Sequence, residues 1–358
     1  MIGYVPDYED PYAYNDGFYR AIKERVEAAV PKQQRRSDFK MTVKCLGIVL
    51  AYGLSLGLYV KYCAWWSALL LALSACEIGV SIQHDGNHSA FANNTVSWLA
   101  GCTLELLGSS GANFRRAHNY GHHTYTNHFE LDRVFDLDPS IVRIHVNQRL
   151  FPHHRYQHIY AWALYGLLPF FNLIRCFEEM FLKSNYPIRR GTVGVAEVLG
   201  QLVVKLVWVS AMLLAPIQLH GIVTVVPIWL LYMVVLSWCY GIFFAVNHYT
   251  FDAGYQDNSN RASDWGVVQV ENALNFAPDS WFWTQVSGGL NLQIEHHLFP
   301  SMLHTRLPEI SAIVKQTCAE FGVTYNAYPS FWASVKAHYD FIKAMGQDQC
   351  PKGVKLNT

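Results

Sequence analysis

The sequence predicts an all-α integral membrane protein, with four transmembrane helices arranged as two hairpins and a cytosolic helical cap. Three observations support this prediction. Of the 358 residues, 51% are apolar and only 15% are charged, whereas about 25% are charged in an ordinary soluble domain. One long run, 206–251, contains no Asp, Glu, Lys or Arg. Histidine, with 16 copies, is concentrated in short clusters that follow the hydrophobic runs.

The uncharged run 206–251 is long enough to cross a bilayer twice. As a single helix it would measure about 69 Å at about 1.5 Å per residue, whereas a bilayer core is about 30 Å thick. Pro216, His220 and Pro227 mark a turn in its middle. We therefore predict spans near 198–216 and 226–246. A buried soluble hairpin is the alternative, but a chain of this size has little core in which to hide such a run.

An earlier pair of apolar runs predicts the first two spans, near 43–60 and 64–83. Lys61 separates the two runs, and Glu77 interrupts the second near its far end. Lys44 can snorkel at the start of the first span.

Two further apolar segments are expected to lie in the membrane interface. The segment 159–174 is only 16 residues long and contains Pro169, and 95–111 is similar. If 159–174 crossed the bilayer, the segments on its two sides would face opposite compartments.

Basic residues set the predicted orientation. They precede the first and third spans, at Lys32, Arg35, Arg36, Lys40, Lys44, Lys183, Arg189 and Arg190, and they are rare in the other connections. The positive-inside rule then places the N-terminus, the long 84–197 segment and the C-terminus on the cytosolic face. We expect a cytosolic N-terminal segment at 1–42, a transmembrane and metal-binding core at 43–299, and cytosolic C-terminal helices within 300–358.

The balance of charge bears on nucleic-acid binding, and the cysteines bear on disulfides and zinc. Lys plus Arg and Asp plus Glu number 27 each, which argues against nucleic acid because phosphate binding needs a basic surplus. The 8 cysteines form no C-x-x-C pair, so neither a disulfide framework nor a thiolate zinc site is expected.

Three histidine clusters indicate a metal site. They are HDGNH with His84 and His88, HNYGHH with His118, His122 and His123, and QIEHH with Gln293, His296 and His297. Residues four apart share a helix face, and with four spans all three clusters emerge on one side of the membrane. Seven clustered imidazoles are too many for one tetrahedral ion and suit two metals with open positions. The doublet His153–His154 and the isolated histidines are expected to be ordinary buried or surface residues.

The same residues resemble a known family. HDGNHSAF, HNYGHHTYTN and GGLNLQIEHHLFP are similar to the three histidine boxes of the membrane fatty acid desaturases. Gln293, in place of the first histidine of the third box, resembles the front-end subgroup, and the delta-6 type acyl-lipid enzymes most. That subgroup inserts a double bond between an existing one and the carboxyl end. The likeness extends from about residue 45 to the C-terminal helices, including DLDPS at 136–140 and CAEFGVTYNAYPSF at 318–331.

The resemblance implies a di-iron site in the cytosolic cap, with two non-haem iron ions and O2 as co-substrate. By motif match the implied ligands are His84, His88, His118, His122, His123, His296 and His297, and His248 after the fourth span matches a further one. Gln293 would touch iron directly or through water.

The resemblance also implies an unsaturated acyl substrate, linked to coenzyme A or to a glycerolipid. No HPGG haem motif occurs, so we expect no fused cytochrome b5 domain and a separate electron donor, cytochrome b5 or ferredoxin. The membrane could be that of the endoplasmic reticulum, a plastid or a bacterium.

Other polar and aromatic residues are weaker candidates. Glu77 lies on one helix stripe with Ser81, His84 and His88, either beneath the metal site, as a supporting or tunnel-lining group, or as a carboxylate facing lipid headgroups. Asp85, Asn119 and Glu295 are candidates for contacts to imidazole N–H groups, or for helix caps. The tryptophans at 265, 281 and 283 belong to an interfacial belt or line the acyl path.

Two other functions share parts of this pattern. A di-iron lipid hydroxylase could use the same metal site, since both reactions begin with the same hydrogen abstraction. A divalent metal transporter is the alternative from another class, but transporters place polar ligands near the bilayer midplane, whereas these clusters fall at or beyond the ends of spans.

Overall fold

The chain folds almost entirely into helices. The computed structural model describes residues 12–14, 17–36, 38–135, 140–181, 195–257 and 264–349. The α-helices are α1 (Gly17–Ala29), α2 (Lys32–Arg35), α3 (Phe39–Tyr62), α4 (Trp65–Glu77), α5 (His84–Asn87), α6 (Asn94–Cys102), α7 (Gly111–Phe114), α8 (Gln157–Tyr165), α9 (Leu168–Phe181), α10 (Val195–Val209), α11 (Ala215–His220), α12 (Ile222–His248), α13 (Trp265–Glu271), α14 (Trp281–Val286), α15 (Gln293–Leu298), α16 (Pro308–Phe321) and α17 (Phe331–Gly346).

Shorter helical turns and two strands complete the described elements. π-helical turns lie at Ile78–Gln83, Arg115–His122 and Ser210–Leu214, and 3-10 turns at Thr103–Leu107, Arg133–Phe135, Pro152–Tyr156, Leu290–Leu292 and His304–Arg306. The strands β1 (Asn275–Phe276) and β2 (Ala327–Tyr328) pair in parallel, Asn275 opposite Ala327.

Four stretches of helix are long and apolar enough to cross a membrane. They are Lys32–Tyr62, Trp65–Asn87, Val198–His220 and Ile222–His248, and they coincide with the four predicted spans. Their outer faces carry exposed leucines such as Leu46 and Leu50, as expected of surface that meets lipid. A soluble hairpin would instead bury this surface.

The second and fourth of these stretches pack closely. α4 contacts both α3 and α12, and the core between them is formed by side chains such as Tyr59, Leu71 and Tyr232. Gly79 permits the approach of α12, because a Cβ atom there would lie only 2.0 Å from the Tyr240 ring. Close packing brings the end of α12 beside the first histidine cluster.

The apolar segment after residue 152 is a bent pair rather than one straight helix. The helices Pro152–Tyr165 and Leu168–Cys176 meet at 71°. The 14 residues of α9 extend about 21 Å at about 1.5 Å per residue, which is short of a bilayer core of about 30 Å. Read together as one broken span, the pair would be a fifth candidate crossing.

The C-terminal part contains helices, as predicted, and the two longest are α16 and α17. α16 ends at Gly322, whose φ of +69° stops the helix in a left-handed conformation, and α17 ends at Gly346. The basic residues Lys183, Arg189 and Arg190 and most of the DLDPS stretch lie outside the described residues.

Candidate metal centre

The structure assembles the three clusters and the end of α12 into two groups of imidazoles. The first group consists of His84, His88, His118 and His296, and the second of His122, His248 and His297. Within each group, one ring nitrogen of every member lies within 4.8 Å of the others. Histidines separated by more than 200 residues in the chain therefore face two common points.

His123 lies between the two groups. Its Nε2 is 3.1 Å from Nε2 of His118 and 3.2 Å from Nε2 of His296. Its ring also stacks on His297 of the second group, with centroids 4.2 Å apart. All eight histidines expected from the sequence and the resemblance therefore meet in one place.

Local helix geometry explains how one segment serves both groups. The stretch Arg115–His122 is a π-helix, in which residues five apart approach each other, as His118 and His123 do. Spacing of four alone would place His118 and His122 on one face. The wider turn directs neighbouring histidines to different groups, and such turns are frequent at functional sites.

Two glycines allow the third cluster to approach the first. Gly288 has a φ of +60°, and a Cβ atom there would lie 2.1 Å from the carbonyl oxygen of Val80. Gly289 has a φ of +78°, and a Cβ atom there would lie 2.5 Å from the Cβ of His304. The GGLN sequence before QIEHH is thus required for the backbone to pass against the helix that carries His84.

Each histidine of the second group is fixed through its Nδ1. His122 donates from Nδ1 to Asp132 Oδ2 at 2.8 Å, and His297 donates to Gln269 Oε1 at 2.8 Å. His248 donates to the backbone carbonyl of Asn272 at 3.1 Å. An Nδ1–H bond of this kind leaves Nε2 with its lone pair free, which is how proteins orient histidines toward a metal.

The donor set fits metal ions. Among the described residues, neither ring nitrogen of His84 has a hydrogen-bond partner, and the same is true of Nε2 of His88 and of His297. These rings are buried, and a buried nitrogen without a partner is costly. Several such nitrogens facing common points are explained by ions that coordinate them.

Burial keeps the imidazoles of the site neutral. It lowers the pKa of five of these histidines well below the ordinary value, and the neighbouring imidazoles lower it further. The five are His88, His118, His123, His296 and His297. A neutral imidazole is the form that binds a metal ion.

Asp132 retains its charge behind this cluster. Burial alone would raise its pKa, but the interaction with His122 and the backbone N–H groups of Val134 and Asn127 lower it below the usual value.

Gln293 lies beside the second group. Its Nε2 is 3.0 Å from Nε2 of His248, the nitrogen that faces the group. The side chain is therefore within reach of whatever that nitrogen binds.

An apolar cavity of about 500 Å³ adjoins both groups. His118, His122 and His248 line it, and it follows α12 as far as Met233. Between Met233 and His248 the helix rises about 22 Å, at about 1.5 Å per residue. Trp208 and the bent pair α8–α9 form other parts of its wall.

Other predicted residues have contacts outside the two groups. Asp85 contacts an imidazole, but that of His304, accepting from Nδ1 at 2.8 Å. Asn119 donates to the carbonyl of Asn87 at 2.7 Å, and Glu295 accepts from Asn275 and Tyr325. The contacts of Asn119 and Glu295 are with neighbouring segments and not with the imidazoles.

Glu77 accepts a hydrogen bond from Ser81 at 3.0 Å. It is not among the described residues that line the cavity, and its connection to the metal site stays a prediction.

The three tryptophans, expected either in an interfacial belt or along the acyl path, lie away from the cavity. Trp265 packs against Tyr19, Trp281 is exposed and Trp283 packs against Phe331. None of the three is among the described residues lining the cavity, whereas Trp208 is. His154, of the doublet, donates to the carbonyl of Ser140 at 2.8 Å.

The structure combines apolar helices of membrane-spanning length with imidazole groups suited to metal ions beside an apolar cavity. This is the arrangement expected of a membrane-bound metalloenzyme that acts on a long apolar substrate. The family model described as fatty acid desaturase matches residues 61–329. The chain belongs to the fatty acid desaturase family.

Relatives extend over most of the chain. An acyl-lipid (8-3)-desaturase of Physcomitrium patens is 33% identical over 93% of this chain and 72% of its own length. An sn-1 linoleoyl-lipid 6-desaturase of Synechocystis sp. is 29% identical over 92% of this chain and 96% of its own length. Acyl-lipid (8-3)-desaturase B of Dictyostelium discoideum is 31% identical over 97% of this chain and 79% of its own length. The chain is therefore a membrane oxidoreductase of fatty acid metabolism.

Proposed function

We propose that the protein is a front-end acyl-lipid desaturase that inserts a cis double bond on the carboxyl side of an existing one. The observation that carries the proposal is the pair of imidazole groups beside an apolar cavity of about 500 Å³ that follows α12. The names of the relatives, 8-3 and linoleoyl 6-desaturases, support the regiochemistry, as does Gln293.

The two imidazole groups would each hold one iron ion. His84, His88, His118 and His296 would hold one, and His122, His248 and His297 the other, with His123 between them and Gln293 beside His248. When bound, the iron pair supplies the activation of O2 and the removal of hydrogen from an unactivated CH2 group, which no side-chain acid or base can perform. Asp132, Gln269 and the carbonyl of Asn272 fix the orientation of the three imidazole rings of the second group.

The cavity would hold the acyl chain extended along α12. Its apolar wall binds the chain and excludes water, while the fixed helices place one pair of carbons beside the imidazole groups. Reduction of O2 to two waters takes four electrons. The acyl chain supplies two with two protons as the double bond forms, and a carrier of the cytochrome b5 or ferredoxin class supplies two, with two protons from solvent.

The proposed topology has four crossings, in two hairpins, and a helical cap that carries the metals. Both termini and all three boxes lie on the cytosolic-type face, and the bent pair lies in the interface. The shortness of α9 supports this arrangement. Accessibility labelling of cysteines placed next to QIEHH and HNYGHH would contradict it by placing the two on opposite sides.

Purified protein in lipid nanodiscs tests the function. We expect about two iron ions per chain and O2 consumption with a reduced electron carrier. Mass spectrometry should locate a new double bond on the carboxyl side of the existing one in an unsaturated acyl lipid. His84→Ala and His297→Ala should each abolish the product, whereas His154→Ala, at a buried histidine outside both groups, should retain it. An alcohol product would indicate a hydroxylase, and purified protein without iron would contradict the proposal.

A further inference from the structure

A second buried polar cluster lies beside the first imidazole group and contains none of its members. His304 is 1% exposed and Asp85 is 3% exposed. His304 donates to Asp85 Oδ2 twice, from Nδ1 at 2.8 Å and from its backbone N–H at 3.1 Å. On the other side of the ring, Lys44 Nζ donates to Nε2 at 2.9 Å. We refer to Lys44, His304 and Asp85 as the His304 bridge.

The bridge is chemically complete. A neutral imidazole with its proton on Nδ1 donates to the carboxylate and accepts from the ammonium group, so both ring nitrogens are satisfied. Lys44 also donates to the carbonyl of Gln285 at 2.7 Å. The positive and negative charges at the two ends balance, which is the condition under which buried charges are tolerated.

The bridge joins three separate parts of the chain. Lys44 belongs to α3, the first candidate span, and Asp85 is the neighbour of His84 in the first histidine cluster. His304 follows the third cluster, and its Cβ packs against Gly289, at the entry to that cluster. The bridge therefore connects the first cluster to the third and both to the membrane part.

We propose that His304 is a positioning residue for the first imidazole group. To form this group, His84 of α5 and His88 at the end of that helix must approach His296 of α15. Neither ring nitrogen of His84 has a hydrogen-bond partner among the described residues. The second group is held by three Nδ1 contacts, whereas the His304 bridge fixes the first group through the carboxylate of Asp85, the residue next to His84.

The inference rests on the proposed function only in taking the bound metal to be iron. The amide of glutamine can donate to Asp85 and accept from Lys44, as the ring does, whereas leucine can do neither. We therefore expect His304→Leu to release iron about tenfold faster into a chelator, the lower end of the range for residues that support metal ligands. His304→Gln should restore the wild-type rate to within about a factor of three.

His154 provides the matched control. It is equally buried, and its ring also joins two partners, donating to the carbonyl of Ser140 and accepting from Phe151 N–H at 3.1 Å. His154→Leu should lower the thermal midpoint without changing the iron-release rate. Iron content, release rate and thermal midpoint are measured on the same nanodisc samples.

The outcomes separate this inference from the proposed function. Wild-type protein without iron would contradict the proposed function. Wild-type protein with iron, and a His304→Leu variant that releases it at the wild-type rate, would overturn the positioning role alone. So would equal release from the leucine variants of His304 and His154, or failure of His304→Gln to restore it. Should His304→Leu not fold, Asp85→Asn replaces it, with faster release expected and unchanged release overturning the proposal.

Discussion

Replacement of Asp132 by asparagine tests how the second imidazole group is oriented. Asp132 Oδ2 accepts from Nδ1 of His122 at 2.8 Å and from the N–H of Asn127 at 3.0 Å, and Oδ1 accepts from the N–H of Val134 at 3.2 Å. All of these neighbours are donors. An asparagine has one acceptor oxygen and one NH2 group, so its NH2 group must face a donor that it cannot satisfy.

Either orientation of the asparagine carries a cost. With its NH2 toward Val134, the backbone N–H of that partly exposed residue loses its partner, at about 0.5–1.5 kcal/mol. With its NH2 toward His122, the ring must carry its proton on Nε2, the nitrogen 3.3 Å from Nε2 of His248. That tautomer cannot use Nε2 to bind a metal ion. Loss of such a supporting contact typically costs 10–100-fold in affinity or activity, or about 1.4–2.7 kcal/mol at about 1.36 kcal/mol per tenfold.

The assay is iron retention and turnover on the same nanodisc preparation. We expect Asp132→Asn to fold, to lose iron about 10–100-fold more readily and to lose turnover in parallel. Asp340→Asn, which removes the same charge from an exposed pair with Lys336, should change neither, since exposed ion pairs contribute about 0–1 kcal/mol. Full iron and full turnover in Asp132→Asn would refute the reasoning.

Three further predictions follow from the site. Iron-free protein should lose stability as the pH falls below about 6.5. The five buried histidines with lowered pKa then bind protons in the unfolded chain but stay neutral in the folded protein. A thermal midpoint independent of pH between 7 and about 5 would contradict this. Met233→Trp, at the far end of the cavity, should lower turnover of long acyl chains about tenfold relative to shorter ones, since an indole fills the space that the chain end needs. Leu230→Trp, on an exposed part of the same helix, should leave this ratio unchanged. Mass spectrometry of products from acyl chains of different length measures the ratio. Gly288→Ala should prevent iron binding, because its Cβ would meet Val80, while Gly322→Ala, with a similar positive φ but nothing within 4 Å, should cost about 1 kcal/mol and keep its iron.

Patterns within one segment predicted the spans and the histidine clusters. A run without charges between 206 and 251 can only be accommodated in lipid or a large core, so composition alone located α12. The spacing of His84 and His88 places both on one face of any helix. These properties depend on neighbours in the chain, which the sequence displays directly.

Residues that act from distant segments were not predicted. Asp132 and Gln269 contact the second group from a loop and from α13, and no fixed spacing relates them to His122 or His297. The contact of His118 with His123 depends on a π-helical turn, which a period of 3.6 residues does not anticipate. His304 was expected to be ordinary, because a single histidine carries no pattern until Lys44 and Asp85 are beside it.

Among the residues that the structure describes, neither imidazole group includes a carboxylate. His118, His122 and His248 line a cavity suited to an acyl chain, and an ionised ligand there would face hydrocarbon at a cost of several kcal/mol. Neutral imidazoles avoid that cost. Asp132 also lines the cavity, but its carboxylate is satisfied by Nδ1 of His122 and by the backbone N–H groups of Asn127 and Val134. Under the proposed function, neutral imidazoles are therefore the ligands that this apolar cavity favours.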